Sequence, residues 1–155
     1  MTTISNQANH CFAFELDFIG TWRCIPLCVR RKLDLIGLKL KLSHWLEFSY
    51  QDRQQLVDWP DDKIALVQLH KYLCSCTSKM VDGEAVSLLP ARSEAWQNSG
   101  LIPELLIEAA VGRQIVLDLN QWALLSELER FALCKLVRPG HDHHNLIAAF
   151  IEILA

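Results

Sequence analysis

Apolar residues recur along this chain with two different periods, and the changes of period mark out its elements. A helix is expected to start at each Ile-Pro pair, Ile25-Pro26 and Ile102-Pro103, because Pro at the first helical position loses no hydrogen bond and presets φ. Gly37 and Gly112 are the expected stops. The period then drops to two: Leu38, Leu40 and Leu42 alternate with Lys39 and Lys41, and Ile115, Leu117 and Leu119 alternate with Val116 and Asp118. Phe12, Phe14, Leu16 and Phe18 alternate in the same way, so residues 12–18, 38–42 and 115–119 are the expected strands of a small sheet. Ser43 and Asn120 read as N-caps of short helices carrying Trp45 and Trp122. A second helix start follows at once in SYQD (Ser49 to Asp52) and SELE (Ser126 to Glu129); SELE fits the reciprocal capping box and SYQD fits it more loosely. Beyond Pro60, Asp61 and Asp62 complement a helix dipole, and Leu66, Leu69, Leu73, Cys76 and Met80 repeat at three- and four-residue spacing, which predicts the longest helix, running to about Val81. A last helix is expected from Asn145 to Leu154, after the turn RPGHDHH.

The two halves read alike. An offset of 77 places Ile25-Pro26 on Ile102-Pro103, Leu40 and Leu42 on Leu117 and Leu119, Trp45 on Trp122, Ser49 on Ser126, Arg53 on Arg130 and Leu56 on Leu133, with no gap. The expected fold is therefore mainly α: a duplicated helical unit with a pseudo-twofold relation and at most a small sheet. One domain of two repeats, about 23–82 and 100–155, is joined by the aperiodic, Gly-, Pro- and Ser-containing stretch 83–100.

With 155 residues, 51% of them hydrophobic, the chain has material for one continuous core. Its net charge of -3 implies neither a nucleic acid nor an anionic membrane as partner, but the distribution is uneven. Gly20 to Trp45 holds six basic residues (Arg23, Arg30, Arg31, Lys32, Lys39, Lys41) against one acid, Asp34, which leaves -8 for the rest. The polar start MTTISNQANH is unlike a secretory signal, and no apolar run approaches the roughly 18 residues of a membrane span, so a cytoplasmic location is expected. In a reducing compartment the six cysteines read as thiols rather than disulfides.

Candidate chemistry is sparse. Cys74 and Cys76 stand two apart on a helix, where their side chains diverge by about 200°. Cys24 and Cys28 could share a face, yet a zinc or iron–sulfur site wants about four ligands and no second pair has suitable spacing. His141, Asp142, His143 and His144 form the densest set of ligand types, but a proton-transfer role for His141 would need an organising carboxylate and a pocket. There is no Gly-rich phosphate loop, GxSxG elbow or HExxH. Trp45 and Trp122 are expected in the core, and Cys134, aligned with Val57, at an apolar position. Arg30, Arg31 and Lys32 lie within one helical turn, cannot all face the same core, and are expected to present positive charge beside Lys39 and Lys41, either as a solvated face or as a docking patch for an acidic partner.

The string RCIPLCVRRKLDLIGLKLKL (23–42) with Trp45, the string RFALCKLVRPGH (130–141) with Asn145, and the segment FAFELDF (12–18) resemble the signature regions of the nitrate reductase-associated protein family of cyanobacteria. The resemblance spans nearly the whole chain and weakens in the long helix and the linker. Leu27, where the family has Met, and the His143-His144 pair depart from it. It implies an accessory protein needed for an active assimilatory nitrate reductase, with help in maturation, cofactor insertion or stabilisation all compatible; together with the lack of catalytic motifs, the expected role is that of a non-catalytic factor without a cofactor that acts by protein–protein contact. By matched position it directs attention to Arg23, Cys24, Pro26, Arg30, Lys32, Asp34, Lys39, Arg130, Arg138, Gly140 and His141. The expected contact residues are thus Arg23, Arg30, Arg31, Lys32, Lys39, Lys41, Arg130, Arg138 and His141; the rival reading is a metal or cofactor carrier using Cys24, Cys28 and His141.

Overall fold

The computed structural model describes residues 6–20, 22–138 and 144–154, and it is mainly helical. Packing divides the chain into two units, one formed by the described residues of Met1–Cys11 and Glu15–Arg92, the other by those of Phe12–Phe14 and Ser93–Ala155. In the first unit run α1 (Leu16–Ile19), α2 (Leu27–Ile36), β1 (Leu38–Lys39), α3 (Leu42–Glu47), α4 (Tyr50–Asp58), α5 (Lys63–Thr77) and β2 (Val86–Ser87). The second holds α6 (Glu104–Gly112), α7 (Leu119–Leu124), α8 (Glu127–Leu136) and α9 (His144–Leu154). The starts of α2, α3 and α4 recur 77 residues on as those of α6, α7 and α8.

Local chemistry accounts for these boundaries. Pro26 and Pro103 cap α2 and α6 from one position before the first turn, and neither offers a side-chain acceptor. For α2 the acceptor comes from a distance: the buried Glu15 carboxylate takes the Leu27 N–H at 2.8 Å. Gly37 ends α2 in the left-handed region at φ 71°, donating its N–H to Leu33 and Asp34 carbonyls, as the stop signal predicts. α6 ends at Gly112, but there the left-handed turn is taken by Gln114, at φ 57°. Ser126 and Glu129 close a complete capping box on α8, while Ser49 only accepts the Asp52 N–H. The N-caps of α3 and α7 are Lys41 and Asp118, not Ser43 and Asn120. Asp118 accepts the Gln121 N–H, and in α3 the ring Nδ1 of His44 accepts the Lys41 N–H at 3.1 Å, so each helix gains its first turn two residues early.

A small sheet is present, but only one of its expected strands is in it. Leu38 and Lys39 pair antiparallel with Ser87 and Val86, from the stretch read as a link. Residues 13–19 are not a strand: they form a 3-10 turn, Ala13–Glu15, and then α1. The reason is where their polar groups go, since Ala13 and Phe14 donate their N–H groups to the Glu152 carboxylate of α9 (2.9 and 3.1 Å) instead of to a neighbouring strand. Phe12 and Phe14 alternate because both rings are buried and stack at 5.0 Å. Residues 115–118 are coil, with the Ile115 N–H tied back to Ala110, and Leu119 already opens α7. The link itself is structured: besides β2, it forms a 3-10 turn, Ala95–Gln97, whose buried Trp96 meets Phe131 edge-on at 5.0 Å.

The core of the first unit gathers Val29, Leu33, Trp45, Leu56, Leu69 and Leu73, and that of the second gathers Leu106, Trp122, Leu128, Phe131, Leu133 and Phe150. Each fully buried large side chain of this kind contributes roughly 1.5–3 kcal/mol. α5 packs on α2 through the four-residue row Ala65, Leu69, Leu73 and Thr77. It stops at Thr77 rather than Val81 because the Thr77 hydroxyl donates to Leu73 O (2.7 Å) and accepts the Ala85 N–H (2.9 Å), pinning the chain as it reverses.

Both units carry the same arginine–tryptophan clamp. Arg53 donates to the carbonyls of Trp45, Leu46 and Trp22 and lies 6.0 Å over the Trp45 ring, whose own N–H donates to Trp22 O. At the matched positions Arg130 donates to Trp96 and Leu125 carbonyls and lies 6.0 Å over the Trp122 ring, whose N–H donates to Asn98 O. Trp45 and Trp122 are fully buried, as their repeat position predicts.

Candidate functional site

The basic run on α2 does not form a cationic face. Successive helical residues turn by about 100°, so of Arg30, Arg31 and Lys32 only Arg30 points outward, and its Nε still donates to Ile25 O at 3.2 Å. Lys32 is fully buried: its ammonium donates to the carbonyls of Leu56, Val57 and Trp59 at 2.8, 2.8 and 2.9 Å and so closes the C-terminal end of α4. Burial pulls this amine down to about 8. Arg31 is buried as well and pairs with Asp61 at 2.9 Å, beside the start of α5. These two side chains staple α2 to α4 and to the entry of α5, so the expectation that they contact a partner is corrected. The same correction applies to Arg130, which is spent in the clamp on Trp122. Of the remaining expected contact residues, Arg23, Arg30, Lys39 and Lys41 in the first unit and Arg138 in the second are exposed. His141 and Gly140 lie outside the described residues.

The cysteines separate by environment. Cys28 is buried and its thiol donates to the half-buried Cys11; that hydrogen bond lowers Cys11 and, with burial, raises Cys28. Cys24 is half-buried, and burial pushes Cys134 up to about 11. Cys74 Sγ lies 3.8 Å from Nδ1 of His70, one turn earlier on α5. Among the described residues, no three His, Cys, Asp or Glu side chains are placed to share one metal ion.

One recess of the first unit is not foreshadowed by any motif in the sequence. An open groove of about 350 Å³ runs between the end of α2 and the outer face of α5, lined by Leu35, Ile36, Lys63, Leu66, Val67, His70 and Lys71. Its α5 residues recur at 63, 66, 67, 70 and 71, one stripe adjoining the buried row 65, 69, 73 and 77. Val67 is 55% exposed between two exposed lysines four residues to either side. On the α5 side the acids just before the helix are already engaged, Asp61 by Arg31 and Asp62 as the cap that accepts the Ala65 N–H at 2.9 Å; on the α2 side Asp34, half-buried, precedes Leu35. An apolar floor with basic groups along it suits the apolar face of a protein segment that carries acids beside that face. The signal was present as a lone exposed valine inside a Lys-x₃-Val-x₃-Lys spacing, but a helical wheel alone reads this as an ordinary solvated edge.

No curated protein and no solved structure matches the chain. A family model described as conserved nitrate reductase-associated protein (Nitr_red_assoc) matches residues 11–153, nearly its whole length, so the chain belongs to that family.

Proposed function

We propose that this protein is a non-catalytic, cytoplasmic accessory factor that binds nitrate reductase, and that the α2–α5 groove is where the reductase docks. The groove carries the reading: it is open, floored by Leu35, Ile36, Leu66 and Val67, and edged by Lys63, His70 and Lys71. A site of this make-up gains affinity by burying apolar surface and gains orientation from charge, which suits a protein partner better than a small polar substrate. Arg30, Lys39 and Lys41, exposed on the same unit, supply long-range attraction to an acidic partner without having to be buried. No helix among the described residues is long and apolar enough to cross a membrane, in keeping with a partner met in solution.

The test is made in cells that grow on nitrate. Val67→Asp puts a carboxylate on the apolar groove floor, where docking would have to desolvate it and where it draws on Lys63 and Lys71, at an exposed position, so the fold is retained. Cells carrying this variant in place of the wild type are expected to lose most nitrate reductase activity while growing normally on ammonium. Wild-type activity with folded, normally abundant V67D protein would refute the docking site.

A further inference from the structure

Unit two has an apolar surface that its own fold leaves uncovered. In α6 only Leu106 and Ala110 are buried, whereas Leu105, Ile107 and Val111 are 50%, 44% and 70% exposed. Ile107 and Val111, four residues apart, form one ridge of the outward face, and Glu104 and Glu108, also four apart and both exposed, form the ridge beside it. A helix that is apolar nearly all round is ordinarily covered on most sides. The matched helix of the first unit, α2, is covered by α5.

We infer that the α2–α5 groove also receives α6 of a second copy of this chain. The inference rests on the groove being a docking surface, as proposed above. The two surfaces are complementary in both respects that matter. Ile107, Val111 and Leu105 supply apolar bulk for the floor formed by Leu35, Ile36, Leu66 and Val67. Glu104 and Glu108, about 6 Å apart along their helix, fit between Lys63 and Lys71, which are about 12 Å apart along theirs. Two like charges at i and i+4 repel on an isolated α6, and the opposing lysines remove that repulsion in the complex. The contact joins different surfaces of the two copies, so it produces a dimer where two such contacts close on each other and a ladder of larger species where they do not. Either way, a groove filled by a second copy is closed to nitrate reductase, which makes self-association and reductase binding mutually exclusive.

The test measures mass by light scattering and sedimentation over a concentration series, with variants confined to exposed positions. The wild type is expected to rise above monomer mass with concentration, and to do so less at high salt. Lys63→Glu with Lys71→Glu, and separately Glu104→Lys with Glu108→Lys, are expected to stay monomeric. The fourfold variant, with the charges exchanged, is expected to associate again, a recovery that a folding defect could not produce. A wild type monomeric throughout, or charge reversals that leave the mass unchanged, would overturn the inference. E104K/E108K leaves the groove itself intact and is expected to keep full reductase binding. Loss of reductase binding by V67D with no effect of the reversals on mass overturns only the self-association; retention of it by V67D, with monomeric reversals, overturns only the docking of the reductase.

Discussion

Lys32 shows how a charge in a basic run becomes part of a core. Three carbonyls converge at the end of α4, where only that of Leu56 also accepts a backbone N–H, from Trp59, and one ammonium serves all three. Lys32→Ala removes the ammonium from all three and leaves a cavity in its place, so unfolding by denaturant should show a loss on the order of 3 kcal/mol, while Arg30→Ala should stay within about 0.5 kcal/mol. Equal, small effects of the two substitutions would contradict this account. The sequence shows three cations within one turn and that they diverge. It does not show which groups elsewhere lack partners, and those groups draw two of the cations inward, the α4 carbonyls taking Lys32 and the Asp61 carboxylate taking Arg31. Cys11 gives a second residue-scale prediction. Half-buried and lowered by the Cys28 thiol, it should react with iodoacetamide near neutral pH well before Cys28, which is buried and raised, or Cys134, raised to about 11. Cys28→Ala should slow Cys11 by removing the donated hydrogen bond, and timed labelling read by mass spectrometry follows each thiol separately.

Several element boundaries were legible where the controlling group lies within three or four residues, although the caps of α3 and α7 lie two residues before those expected at Ser43 and Asn120. Ser49, Asp62 and Ser126 cap the helices they precede, and Gly37 stops α2. The misread strand and the partner of β1 depend on distant groups. Glu152 takes the N–H groups that would have made residues 12–18 a strand, and Val86 and Ser87 supply the partner of Leu38 and Lys39. Gly37 belongs to both classes: its φ of 71° was foreseeable from a C-terminal glycine, but not that an added Cβ would run into the backbone oxygen of Leu88 and crowd Pro90. Gly37→Ala should therefore cost about 2–4 kcal/mol, well beyond the roughly 1 kcal/mol of left-handed strain alone, with the excess traced to loss of the β1–β2 pairing. Ser126→Ala, which loses only the Glu129 N–H bond, should cost about 1 kcal/mol by the same denaturation measurement.

At the scale of the whole molecule, the mainly helical character, the burial of Trp45 and Trp122 and the family could all be read from the sequence, while the candidate surface could not. Charge counting pointed to residues 23–41 because it weighs every cation equally; burial then removed Arg31 and Lys32 from that surface. The groove escaped for the opposite reason, since Leu35, Ile36, Leu66 and Val67 look like core residues until the packing of α2 on α5 leaves their outer edges open. The most direct test is titration of purified nitrate reductase with the wild-type protein, V67D and Arg30→Glu by calorimetry and surface-bound kinetics. The account predicts a defined Kd for the wild type, at least about tenfold weaker binding for V67D, and for R30E a slower association with little change in dissociation. V67D binding with wild-type affinity would contradict it.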